Sequence, residues 1–118
     1  MGKYALITGS SSGIGFEIAK ILADKGFNIV LTARRKERLL ENSKYIISNY
    51  NVNCDYISCD LSDKSSPNKI FDFCKKNNYD VEILVNNAGY AIPSSFIKTS
   101  MEDEEKFLRV LGISVIAL

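Results

Sequence analysis

A chain of 118 residues, 46% hydrophobic and 25% charged, suits one globular domain over residues 1–118 and leaves no room for two. Its 15 basic and 14 acidic side chains sum to +1, too weak a field to call for a nucleic-acid partner or an anionic membrane. Three cysteines without C-x-x-C spacing, and no histidine, argue against a zinc site, a disulfide framework and any Ser-His-Asp or Cys-His machinery.

In chain order, a short apolar run over 4–8 leads into Thr8-Gly9-Ser10-Ser11-Ser12-Gly13-Ile14-Gly15 and then a helical-period segment over 14–25. Gly26 follows, where a left-handed C-terminal cap belongs. An apolar, partly β-branched run over 28–33 precedes a helix over 36–49. A third run over 54–59 precedes a helix over 65–77, with Ser62 or Asp63 as its cap and Lys75-Lys76-Asn77-Asn78 marking its exit. A fourth run covers 81–85, and a fourth helix is predicted from near Ser100 to the end, its first turn acidic at Glu102, Asp103 and Glu104. None of these runs approaches the roughly 20 apolar residues that cross a bilayer, and the first is too short for a signal peptide. With thiols that read as buried in a reducing compartment, a cytoplasmic location is expected.

Strand-helix alternation of this kind predicts right-handed βαβ units, a parallel sheet and an α/β fold. The stretch Leu108 to Leu118 is still apolar at helical spacing where the chain stops. The sequence therefore reads as the first part of a domain, truncated after about four strands and four helices. The fourth strand would then have an unpaired edge, through which, or through the last helix, a homo-oligomer is expected.

The glycine-serine turn joins a strand to a helix. Backbone N–H groups and the positive end of the helix dipole meet there, which makes an anion site. Gly9 lets the chain leave the strand tightly, Gly13 lets backbone approach a phosphate, and Gly15 lets the helix pack on the sheet. Ser10, Ser11 and Ser12 carry hydroxyls able to donate to phosphate oxygens. The spacing G-x-x-x-G-x-G is neither a P-loop nor G-x-G-x-x-G, and an ordinary Gly/Ser-rich βα loop is the alternative.

Two further stretches favour the phosphate. The second strand ends Thr32-Ala33-Arg34-Arg35-Lys36-Glu37-Arg38, without the acidic residue that binds a ribose 2′-hydroxyl in NAD-binding folds. These cations are either solvated helix charges, or Arg34, with Arg35, holds the 2′-phosphate of NADP with its planar fork. Val85-Asn86-Asn87-Ala88-Gly89 is either a turn or part of the crevice where parallel sheets bind ligands at their carboxyl ends. Between them, Cys59-Asp60-Leu61 ends the third strand within reach of an adenine ring.

Thr8-Gly9-Ser10-Ser11-Ser12-Gly13-Ile14-Gly15 with Asn86-Asn87-Ala88-Gly89 resembles the T-G-x-x-x-G-I-G and N-N-A-G motifs of the short-chain dehydrogenase/reductase family, with Asp60-Leu61 in between. The resemblance covers essentially the whole chain. It implies a Rossmann-like doubly wound sheet, with Gly9, Ser11, Ser12, Gly13, Ile14 and Gly15 at the pyrophosphate. Asp60 and Leu61 would flank adenine, and Asn87, Ala88 and Gly89 would line the adenosine side. Arg34 falls where NADP-preferring members carry a basic residue, and Ala33 where NAD-type members carry Asp, so NADP(H) is expected over NAD(H). Ser114 stands at the family's Asn position, where a proton-relay water is anchored, and Gly112 where Asp is common. The family's Tyr-x-x-x-Lys pair is not found. Tyr4, Tyr45, Tyr50, Tyr56, Tyr79 and Tyr90 are followed four residues on by Thr8, Asn49, Cys54, Asp60, Ile83 and Ser94. The resemblance thus implies the NADP(H)-binding portion of a carbonyl/alcohol oxidoreductase, not turning over substrate as this chain alone. A non-catalytic, self-associating nucleotide-binding protein is the rival reading.

Overall fold

The computed structural model describes residues 2–9, 13–60, 65–86 and 109–112. Along the chain run β1 (Lys3–Thr8), α1 (Gly13–Asp24), β2 (Asn28–Ala33), α2 (Lys36–Asn49), β3 (Cys54–Ser58), α3 (Ser66–Lys76), β4 (Asp80–Asn86) and β5 (Arg109–Gly112). The strands form one 5-stranded sheet in the order β3-β2-β1-β4-β5, every pair parallel. This is the expected doubly wound α/β sheet, whose order reverses at β1.

The period-2 alternation of the strands divides the core between two faces. Ala5 and Ile7 of β1, Ile29, Leu31 and Ala33 of β2, and Val85 of β4 pack with Ala19, Leu22 and Ala23 of α1 and Leu39 and Ile46 of α2. Tyr4, Leu6, Val30 and Leu84 point the other way, onto Ile70 and Cys74 of α3. Both faces being covered, β1 and β2 read as nearly continuous apolar runs rather than alternating ones. Each fully buried Ile or Leu here contributes about 1.5–3 kcal/mol.

Two helices end in the same way. Gly26, at φ 96°, terminates α1, with Gly26 N–H donating to the Ala23 carbonyl at 3.0 Å and Phe27 N–H to the Leu22 carbonyl at 3.1 Å. Asn78, at φ 58°, does the same for α3, with Asn78 N–H to Lys75 at 3.1 Å and Tyr79 N–H to Cys74 at 2.9 Å. Both are Schellman motifs, which satisfy the last carbonyls and turn the chain back toward the sheet. The expected glycine cap and Asn-Lys exit are both found.

Three expectations are corrected. Residues 109–112 form a strand on β4, not part of a helix, with Leu84 opposite Val110 and Val85 opposite Leu111. An apolar run with a β-branched Val110 and a Gly112 that weakens a helix interior is better accommodated in a ladder. Pairing with β5 also occupies the outer edge of β4 over Ile83–Asn86, so that edge is not free for another chain. The N-cap position of α3 is Ser65 rather than Ser62 or Asp63, and no side-chain cap bond is made. Proline in the first turn suits that start, because its missing N–H has no helical partner to lose.

Candidate functional site

The register sets every strand exit at one edge. Thr8 lies opposite Thr32 of β2 on one side and Asn86 of β4 on the other, and Ala33 lies opposite Ser58 of β3. The segments after β1, β2, β3 and β4 therefore all leave the sheet at its carboxyl edge. Between β1 and β4 the strand order reverses, which opens a crevice at that point. There the buried Thr8 hydroxyl donates to the Val85 carbonyl at 3.3 Å and ties the two strands together.

Gly9 leaves β1 at this edge, and Gly13 opens α1. Gly9 has φ 66° and Gly13 φ 65°, a left-handed conformation that side chains rarely adopt. A Cβ built on Gly13 would meet no heavy atom within 4 Å, so packing is not what excludes a side chain there. The residue stands in open space beside the first N–H groups of α1, with room for a ligand atom against the backbone. Gly15 is buried on the sheet side of α1, as close helix packing requires. Ile14 is 51% exposed, and the first turn of α1 carries no acidic side chain to offset the positive end of the dipole. Ser10, Ser11 and Ser12 lie outside the described residues.

One strand over, Ala33 is buried at the end of β2, and Arg34 and Arg35 are exposed in the two-residue turn before α2. Arg35 is the N-cap residue (φ −88°, ψ 101°); its side chain makes no cap bond, while its carbonyl accepts the Leu39 N–H at 3.1 Å. The backbone of this turn is held from β3. Cys59 N–H donates to the Ala33 carbonyl at 2.9 Å, the Ser58 hydroxyl donates to the Arg34 carbonyl at 2.9 Å, and Thr32 Oγ1 lies 3.3 Å from Cys59 Sγ. Asp60 follows directly, exposed at the same edge. Among the expected site residues, Gly9, Gly13, Ile14, Gly15, Arg34, Arg35 and Asp60 are thus gathered at one edge of the sheet. Leu61, Asn87, Ala88, Gly89 and Ser114 lie outside the described residues. The clamp made by Ser58, Thr32 and Cys59 has no sequence signal, because it exists only through the β2–β3 register.

Titration is displaced elsewhere. Burial pushes the Cys54 thiol up to about 11 and the Cys74 thiol up to about 12. Burial, then the bond its hydroxyl donates to the Asp55 carboxylate, raises Tyr79, and burial raises Tyr4, whose ring stacks on that of Tyr79 at 4.2 Å. These groups sit toward the amino end of the sheet or on the last turn of α3, away from the glycine turn. The three cysteines are free thiols, and among the described residues no cluster of ligating side chains could hold a metal ion. What the carboxyl edge offers chemically is anion binding by backbone N–H groups and by cations. No helix among the described residues is long and apolar enough to cross a membrane.

A family model described as short chain dehydrogenase matches residues 3–118. The very-long-chain 3-oxoacyl-CoA reductase of Candida glabrata is 35% identical over 113 residues, 92% of this chain and 32% of that protein. The L-sorbose reductase of Gluconobacter frateurii, solved with NADPH and L-sorbose, superposes with a TM-score of 0.72 at 36% identity, over 77% of this chain and 35% of that one. An alcohol dehydrogenase from the archaeon Thermococcus sibiricus, complexed with 5-hydroxy-NADP, gives a TM-score of 0.70 at 34% identity, over 75% of this chain and 38% of that one. The chain spans about a third of the length of the curated 3-oxoacyl-CoA reductases it matches.

Proposed function

This chain belongs to the short-chain dehydrogenase family, and on that premise we propose that it is the NADP(H)-binding portion of an oxidoreductase acting on a carbonyl or alcohol. The observation that carries the reading is Gly13, left-handed and open to solvent where the strand order reverses. That supports a pyrophosphate there, against bare backbone and at the positive end of α1. Bound NADP(H) supplies the hydride. The part of these residues is to bind and orient it, with Gly9, Ser11, Ser12, Gly13, Ile14 and Gly15 at the pyrophosphate, Asp60 and Leu61 beside adenine, and Asn87, Ala88 and Gly89 along the adenosine side. Arg34, with Arg35, holds the 2′-phosphate. The exposed side chain of Arg35, which takes no part in capping, supports this, as does the buried apolar Ala33 where an acidic residue would select NAD(H). Both structural relatives described above are complexes with NADPH or an NADP derivative.

No proton-transfer role is assigned within these residues, since none of the tyrosines has a lysine four positions on. A cytoplasmic location belongs to the same proposal and is supported by the free thiols. So does a homo-oligomer, whose contact has to use a surface other than the paired edge of β4.

The test is equilibrium binding of NADPH and NADH to the wild type and to Arg34→Ala. A charge-assisted hydrogen bond contributes about 1.5–3 kcal/mol, so NADPH affinity should fall about ten- to a hundredfold while NADH affinity barely changes. Equal losses for both cofactors would overturn the 2′-phosphate assignment.

A further inference from the structure

We propose that Ser58 is a positioning residue for cofactor selectivity, fixing through its hydroxyl the backbone from which Arg34 reaches the 2′-phosphate. The inference rests on the reading of Arg34 above.

Four features of the β2–β3 exit support it. β2 ends at Ala33 and β3 at Ser58, the Cys59 N–H donates to the Ala33 carbonyl, and among the described residues no backbone N–H reaches the Arg34 carbonyl. The Ser58 hydroxyl takes over that carbonyl at 2.9 Å, across 24 residues of sequence. A serine hydroxyl has a single hydrogen. With that hydrogen committed to Arg34, Ser58 does not also donate to a phosphate, and its influence on the ligand runs through the arginine. Finally, only Arg34 and Arg35 separate the strand from α2. In so short a turn, the orientation of the Arg34 peptide sets the direction in which its side chain leaves the sheet.

The guanidinium sits at the end of a long side chain and can absorb part of a backbone shift. The expected effect is therefore smaller than that of removing Arg34 itself. Losing one neutral hydrogen bond corresponds to roughly a three- to tenfold change in an equilibrium constant. Fold stability should hardly move, because the Cys59 N–H bond and the Thr32–Cys59 contact keep the strands together.

The experiment is calorimetric binding of adenosine 2′,5′-bisphosphate and of 5′-AMP to the full chain, in the wild type, Ser58→Ala, Ser58→Thr, Arg34→Ala and the Ser58→Ala/Arg34→Ala double variant, with melting temperatures alongside. Ser58→Ala should weaken the bisphosphate about three- to tenfold and leave 5′-AMP unchanged. Ser58→Thr, which keeps the hydroxyl, should restore the affinity. The double variant should bind no worse than Arg34→Ala alone, since the serine acts only through the arginine. If Arg34→Ala discriminates between the two nucleotides and Ser58→Ala does not, or if the two losses add, the Ser58 proposal is overturned and the Arg34 reading stands. If Arg34→Ala itself fails to discriminate, the Arg34 reading falls and this inference with it.

Discussion

Gly13 and Gly26 form a matched pair at the two ends of α1, and substituting each by alanine separates a ligand role from a backbone role. Both are left-handed, at φ 65° and 96°, and a Cβ on either would meet no heavy atom within 4 Å. Each alanine should therefore cost only the conformational penalty, about 1–2 kcal/mol, less about 0.4–1 kcal/mol recovered from the stiffer unfolded chain. A net loss of about 1 kcal/mol lowers the melting temperature by roughly 4 °C in a domain of this size. The two positions differ only in what lies beside them. Gly13 borders the crevice between β1 and β4, whereas Gly26 sits beyond the 12-residue helix, about 18 Å along its axis. Thermal unfolding with and without NADPH reads both effects at once. A ligand at a hundred times its Kd adds about 2.7 kcal/mol to a native state that binds it. Gly26→Ala should keep that increment and Gly13→Ala should lose most of it, with Gly13→Val, β-branched at a left-handed position, losing all of it. If both alanine variants retain the NADPH increment, Gly13 is only a turn residue. If both lose it, the glycines act through the stability of α1 and the crevice argument fails.

Two further perturbations probe the scaffold. Buried Cys54 and Cys74 are held protonated up to about 11 and about 12, while in the unfolded chain they ionise from the ordinary 9.0. Above pH 9.0 the unfolded state thus binds fewer protons than the folded one. Their contribution is complete below that pH and is lost as pH rises through the folded values, in the direction that raised Tyr79 also pulls. Urea midpoints should fall across this alkaline window, and less steeply in Cys74→Ala; an identical slope would show that Cys74 does not titrate on unfolding. At the outer strand, the Asp55 carboxylate accepts both the Tyr56 N–H at 2.8 Å and the Tyr79 hydroxyl. Asp55→Ala should cost about 1–3 kcal/mol and Tyr79→Phe about 1 kcal/mol. Equal losses would mean that the bond to Tyr56 carries nothing.

The fold was legible where the physical signal is local. β1, β2 and β4 are short runs carrying Val, Ile and Leu, β3 is a shorter one around Tyr56 and Ile57, and α1 to α3 lie within a residue or two of where their apolar spacing predicts. The exits at Gly26 and Asn78 were legible because few residue types tolerate a left-handed backbone. Residues 109–112 were not. A short apolar run fits both a helix and a buried strand, and here the choice depends on whether β4 has a free edge to offer, which no local pattern reveals. The cap of α3, though not its start, was misplaced for a related reason. Ser62, Asp63 and Ser65 are all capping types, and the position used makes no side-chain cap bond that could have singled it out.

The same division runs through the site. Gly13 is visible in sequence because its backbone conformation restricts its identity, and Arg34 because a cation follows an apolar Ala33 at the strand end where NAD-binding folds usually carry an acid. Ser58 is invisible because a serine ending a strand has no distinguishing chemistry until the register sets it beside Ala33, with its hydroxyl on the Arg34 carbonyl. Residues that touch a ligand are constrained by the ligand's chemistry and so leave a type-specific trace. Residues that aim them are constrained only by geometry, and several small polar side chains would satisfy that. The hydroxyl at 58 is for this reason best tested by replacing it with another hydroxyl: a threonine that restores 2′-phosphate discrimination identifies the bond, not the residue, as what the site requires.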